Sequence, residues 1–155
     1  MDITEICLYC KNFFLKDHEN SIYAGTYTIE NGMIYPVNFL KVGQYFYIHG
    51  SVLNNGVYQY TGEAISDLQD EIFDGSVWAM SVPPAFLKLC EEITAWRAKN
   101  ESSDSQNMKP FSSESVSGVY SYSKAGTGSS ESGGIMTWQD AFKSRLNKFR
   151  RIQII

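Results

Sequence analysis

Apolar and polar positions divide the chain into five stretches that predict helices, strands or an extended arm. Over residues 2–16, apolar side chains fall at Ile3, Ile6, Cys7, Cys10, Phe13 and Phe14. That is the 3.6-residue period of a helix with one buried face. Asp2 with Glu5 three residues later resembles a capping pair. From about Ile22 to Met80 the pattern shortens to strand-like runs broken by turn residues. Thr26–Ile29 and Met33–Phe39 flank Asn31-Gly32, a pair that favours positive φ at both central turn positions. Tyr45–His49 and Val57–Tyr60 flank Asn54-Asn55-Gly56. Asp74-Gly75 between Ile72-Phe73 and Val77-Trp78 predicts a third turn. Short, evenly spaced strands of this kind predict a small antiparallel meander or partial barrel.

Pro83-Pro84 then starts a helix over 84–100, since proline lacks the N–H that an interior helical position must donate. Its apolar face is Phe86, Leu89, Cys90, Ile93 and Trp96, and its wet face is Lys88, Glu91, Glu92 and Lys99. Residues 101–136 form a Ser/Gly/Tyr-rich arm. Within it Val116, Tyr120 and Tyr122 sit at even spacing with Gly118 in register and Ser117, Ser121 and Ser123 between them, a half-buried strand register. A basic amphipathic helix closes the chain over 137–155. Thr137 and Asp140 cap it, and Trp138, Phe142, Leu146, Phe149 and Ile152 form its stripe. Leaving that stripe in water would forgo about 1.5–3 kcal/mol per large side chain. It must therefore pack on its own body or on a partner.

The expected fold is α+β. A three-helix core carries the β region as an insertion between the first two helices, and the arm precedes the third. The expected organisation is a body over 1–100, the arm over 101–136 and the terminal helix over 137–155.

Composition narrows the function. The chain has 155 residues, of which 43% are hydrophobic and 14% aromatic. It is long enough for one domain to bury about 70% of its unfolded surface. Ten Tyr and nine Phe favour interfaces, where a ring buries its body and keeps its polar edge paired. Apolar runs are too short for a membrane helix, and the acidic start MDITEI has no leader pattern, so a cytosolic site of synthesis is expected. The net charge of −4 is unevenly placed. From Thr137 onward Lys143, Arg145, Lys148, Arg150 and Arg151 stand against Asp140 alone, a local +4 that leaves −8 on the remainder. An acidic body with a basic end suits contact between complementary protein surfaces better than general nucleic-acid binding.

Candidate chemistry is sparse. Cys7, Cys10 and Cys90 are an odd count, unlike a disulfide framework. The Cys7–Cys10 pair lies inside the opening helix pattern and reads as core. A zinc site there would need two further ligands, and redox chemistry would need a strand before the pair. Neither His18 nor His49 shows an oriented partner of the kind a general base requires. GTGSSESGG lacks the Gly-Lys-Ser/Thr ending of a phosphate loop. Asp67, Asp70, Glu71 and Asp74 lack the spacing of a calcium loop and read as solvated. The expectation is a protein without catalysis, metal or cofactor.

One family carries several of these runs together. They are Phe73, Gly75, Val77, Trp78 and Met80 leading to Val82-Pro83-Pro84, then Glu91-Glu92-Ile93 with Ala95-Trp96. Phe111 with Ser113-Glu114-Ser115 and Gly118 with Tyr120-Ser121-Tyr122 follow. The chain closes on Thr137-Trp138-Gln139 and Lys143, with Arg145-Leu146-Asn147-Lys148-Phe149-Arg150-Arg151. This order resembles the head–tail adaptor, or head-completion, proteins of tailed bacteriophages. The resemblance implies a virion neck protein made in the host cytoplasm. It implies a ring, commonly dodecameric, seated on the portal and followed by a stopper or tail-completion protein. DNA passes through such a ring without sequence-specific binding, and no membrane is involved. The expected contact residues are Phe111, Val116, Tyr120 and Tyr122 of the arm. From the terminal helix they are Trp138, Phe142, Lys143, Arg145, Leu146, Lys148, Phe149, Arg150 and Arg151. A rival of another class is a monomeric β-barrel-like module for nucleic acid or a small ligand, stacking on Tyr45, Tyr47, Tyr58 and Tyr60. An enzyme built on Cys7, Cys10 and a histidine is a third reading, and it lacks partners.

Overall fold

The computed structural model describes residues 2–101 and 136–152, apart from the side chain of His18. The described chain divides into two compact units. One is Ile3–Leu87 with Phe149–Ile155, and the other is Met1–Asp2 with Lys88–Lys148.

The first unit is built on a sheet rather than on helices. Strands β1 (Ile22–Glu30), β2 (Met33–Tyr35), β3 (Tyr45–His49), β4 (Gly56–Gln59) and β5 (Glu71–Ala79) form one antiparallel sheet. Its order is β2-β1-β5-β3-β4, and it curls as a half-barrel. This overturns the three-helix core with an inserted meander. The structure is mixed α and β, but the sheet is the body and the described helices other than Pro84–Asn100 are short. The helices are α1 (Ile3–Cys10), α2 (His18–Ser21), α3 (Pro84–Asn100), α4 (Trp138–Ala141) and α5 (Lys143–Leu146). The sequence pattern overweighted the helical stripes because two of them continue past the helix ends.

Helix α1 stops at Cys10, six residues before the pattern does. Lys11 takes a left-handed φ of 53°. Lys11 N donates to Leu8 O at 3.2 Å and Asn12 N to Cys7 O at 3.1 Å. This paired arrangement is a Schellman cap built without the usual glycine. Phe13 and Phe14 then lie outside the helix, Phe14 with a left-handed φ of 54°. Phe13 packs on Tyr47 and Trp78 with ring centroids 4.2 and 5.4 Å away. Phe14 meets Phe86 at 4.5 Å.

The hairpin at Asn31-Gly32 forms as its residues demand, with φ of 53° and 80°. A two-residue turn makes Glu30 and Met33 a hydrogen-bonded pair. Even-numbered residues of β1 therefore aim their backbone groups toward β2, and odd-numbered ones toward β5. The alternation carries across the sheet. Met80 N reaches Tyr45 O at 3.0 Å, and Tyr60 N reaches Gln44 O at 2.8 Å. Val57 N points away from β3 to Thr4 Oγ1 at 2.9 Å. One sheet face carries the core: Tyr27, Ile29, Ile34, Phe46, Ile48, Phe73 and Val77, closed by Val37, Leu40 and Leu68.

The turn expected at Asp74-Gly75 does not form. Strand β5 runs straight through it, pairing with β1 on one side and β3 on the other. Gly75 lies opposite Gly25, and a Cβ on Gly75 would press into the carbonyl oxygen of His49. Its glycine serves a close backbone approach within a strand, not a reversal of the chain.

The loop 50–55 is organised by one carboxylate. Glu71 accepts from Ser51 Oγ, from Val52 N and Asn54 Nδ2 at 2.8 Å, and from Leu53 N at 3.4 Å. Asn54 is only 1% exposed, and its amide closes on the backbone of Gln69. Partial burial works against charge at Glu71, but the donors from Ser51, Val52, Asn54 and Leu53 outweigh it and hold the carboxyl below its usual range. The stabilisation is therefore complete above the ordinary carboxylate pKa of about 4.3. It is lost as pH falls through the lower folded value. Glu71→Gln is expected to cost about 2 kcal/mol at neutral pH. In urea melts the gap from the parent should close as pH drops below about 4.

Helix α3 has the expected bounds and apolar face, with Phe86, Leu89, Cys90 and Ile93 buried. Among the described residues no helix is long and apolar enough to cross a membrane.

Candidate functional site

The terminal segment begins as its sequence requires. Thr137 is an N-cap whose hydroxyl accepts from Asp140 N at 3.2 Å. A single helix to Arg151 does not follow. Phe142, at φ −113° and ψ 19°, separates the helical turns α4 and α5, and no helix continues beyond Leu146. The stripe nevertheless finds neighbours. Trp138 and Leu146 are 3% and 0% exposed. Trp138 lies under the Arg97 guanidinium at 5.8 Å, and the Phe142 ring meets Trp96 edge-on at 6.2 Å. In the sheet unit, Phe149 packs on Phe86 at 5.1 Å and Phe14 at 6.0 Å. Its carbonyl accepts from Asn12 Nδ2 at 2.9 Å. Ile152 is 91% exposed, because the helical period that would have turned it inward has ended.

The basic residues divide by what they touch. Arg145 grips Glu92 with two bonds of 2.8 and 2.9 Å. The hydrogen bond to Arg145 holds the Glu92 carboxyl below its usual range and raises the Arg145 guanidinium in turn. Both groups are exposed, so this pair sets geometry more than stability. Arg150 lies over the Tyr9 ring at 5.0 Å, and Arg151 N donates to Cys10 O at 2.8 Å. Lys143 and Lys148 are exposed. Trp138, Phe142, Leu146 and Phe149 are thus anchors within the chain. Arg145 is held by a carboxylate, and the lysines face outward. Phe111, Val116, Tyr120 and Tyr122 lie outside the described residues.

The four tyrosines of the rival reading do not share a surface. Tyr47 is buried beside Phe13 and Trp78. The β3–β4 register sets Phe46 opposite Tyr58, which turns Tyr58 to the core face, with its hydroxyl donating to Asn54 O at 2.9 Å. Tyr60 packs on the same core, whereas Tyr45 lines a cleft. Alternation across antiparallel strands splits such residues between two faces.

That cleft, of about 610 Å³, is one the sequence did not reveal. Lys16 and Lys41 contribute its charge, and Tyr23 and Phe39 stack beside it with centroids 3.7 Å apart. Among the described residues no carboxylate lines it, although the chain as a whole is acidic. Lysines at two distant positions in the chain carry no motif that could have marked it.

Of the residues weighed for catalysis, the His18 side chain lies outside the described residues. Cys7, Cys10 and Cys90 are buried, and none is in a disulfide. Burial pushes the Cys10 thiol up to about 11 against the opposing charge of Arg150. A thiol so placed stays protonated near neutrality, the wrong state for a nucleophile. His49 is exposed at the end of β3 beside Trp78 and Tyr47. Among the described residues no three His, Cys, Asp or Glu side chains gather. Comparisons with protein-family models, with curated proteins and with solved structures return no match for this chain.

Proposed function

We propose that this protein is a structural adaptor of a tailed-phage neck. It forms a ring on the portal and joins the head to the stopper or tail around the DNA channel. It works by docking rather than by catalysis.

The observation that carries this reading is the anchored terminal segment. Trp138 and Leu146 sink into the chain while Lys143 and Lys148 stay exposed between and beyond them. The fixed Arg145–Glu92 pair steadies the same stretch. The basic end is therefore an ordered charged surface rather than a loose tail. An ordered surface loses less conformational freedom on docking. The run of motifs from Phe73 to Arg151, which resembles phage adaptors, supports the same role.

The test is a portal-binding assay with purified portal rings encoded by the same genome. Lys143→Glu together with Lys148→Glu should weaken binding at least about tenfold and flatten its salt dependence. The melting temperature should stay within about 2 °C of the parent, since exposed charges add little to stability. Failure of the unmodified chain to join portal rings would sink the adaptor reading. Unchanged binding by the double variant would remove the lysines from the interface.

A further inference from the structure

Strand β1 has nine residues, but its outer neighbour β2 covers only Thr28–Glu30. The alternation fixed by the Asn31-Gly32 hairpin turns the backbone groups of Ile22, Ala24 and Thr26 away from β5. Among the described residues no strand meets them. Tyr23, Ala24, Gly25 and Thr26 are all exposed. Protein edges are ordinarily guarded by a lysine, a proline or a bulge. From Ile22 to Ile29 this edge has no charged residue and no proline. Among the described residues it is a strand edge that no other strand covers.

We propose that the Ile22–Thr26 edge of one copy receives residues 116–122 of a neighbouring copy as an added strand, parallel to β1. The inference rests on the adaptor reading, which supplies the neighbouring copies. Two observations favour this occupant. Segment 116–122 is long enough to span the five-residue edge, and it has a strand alternation of Val116, Gly118, Tyr120 and Tyr122 against Ser117, Val119 and Ser121. Main-chain bonds to an edge supply affinity in such pairing, and alternate side chains supply specificity. The cleft at the start of β1, lined by Ser21, Tyr23, Phe39, Lys16 and Lys41, has no carboxylate among the described residues. A parallel strand brings Glu114, two residues before Val116, toward those lysines, whereas an antiparallel one brings Lys124 there. Charge thus selects the direction. A strand given by each copy to the next is a head-to-tail contact, the kind that closes into rings.

The experiment follows amide hydrogen exchange in the labelled full-length chain, with and without an unlabelled peptide of residues 111–124. The peptide should slow exchange at Ala24 and Thr26 at least about tenfold, an effect of roughly 1.4 kcal/mol. Tyr23 and Gly25, already turned to β5, should not change. Ala24→Pro, tolerated because that N–H faces away from β5, should abolish the effect while circular dichroism stays native. Glu114→Lys in the peptide should weaken it. No slowing in the unmodified chain overturns the proposal, as does slowing that ignores the alternation. Ala24 and Thr26 already protected in dilute chain also overturn it, since the segment then serves its own body. Protection that rises with concentration equally in a Val119→Pro chain overturns it too, because β1 then pairs with another β1. Portal rings play no part in this measurement. A protected edge in a chain that ignores the portal removes the neck reading alone, and portal binding with an unprotected edge removes this inference alone.

Discussion

Trp138→Ala is expected to lower stability by about 3–5 kcal/mol, the usual cost of emptying a large aromatic site in a core. The residue is 3% exposed and holds the start of the terminal segment, with the Arg97 guanidinium over its ring. For a chain of this length each kcal/mol moves the melting temperature by about 2–4 °C. A thermal melt should therefore show a fall of about 6–20 °C. A fall below about 3 °C would mean that Trp138 is not the anchor described. The same burial changes how docking must be tested. Removing everything after Gly134 deletes Trp138, Leu146 and Phe149 together, all packed within the chain. Such a truncation would lose assembly through loss of folding. Substitutions at exposed Lys143 and Lys148 separate the two effects.

Gly75→Ala is expected to cost about 3 kcal/mol, the upper part of the range for forced overpacking. A Cβ at that position has nowhere to go. The His49 carbonyl oxygen blocks it, and the Phe73 ring lies 3.0 Å away. The neighbour is backbone, held by the pairing of His49 with Ser76, so relief requires β3 to move off β5. Gly25→Ala is the control. It faces Gly75 across the β1–β5 pair, yet a Cβ there meets no atom within 4 Å. Urea denaturation should separate the two substitutions by at least about 2 kcal/mol. Equal costs would mean that strand propensity, not close approach, explains the glycine.

Some of the molecule is legible in the chain because the signal is local. Asn31-Gly32 specifies its turn from two residues, and the turn in turn specifies the phase of β1. Pro83-Pro84 starts α3, whose apolar face matches the buried residues. Thr137 caps the last segment through a bond to a residue three positions away. These features depend on neighbours within a few residues, so a pattern can hold them.

Other features depend on what lies across space. The apolar period at Phe13 and Phe14 is the same whether the chain stays helical or unwinds. The sheet residues Tyr47 and Trp78 and the side chain of Phe86 decide for unwinding. Asp74-Gly75 has turn composition, but two flanking strands hold it straight. The stripe from Trp138 to Ile152 predicts burial without saying on what. Trp96 and the Phe14–Phe86 pair receive Phe142 and Phe149, and the helix ends before Ile152 can follow. The cleft and its lysines arise only when 16–23, 39–45 and 79–82 converge.

By itself, then, the sequence determined the hairpin, the long helix, the capped basic end and the absence of a recognisable catalytic motif. The tertiary structure decided which apolar residues are spent inside the chain and which strand edge no described strand covers. The reason is physical. Turn and cap preferences are set by backbone sterics within a few residues. Burial and strand pairing are set by partners far away in sequence, whose identity no local pattern encodes.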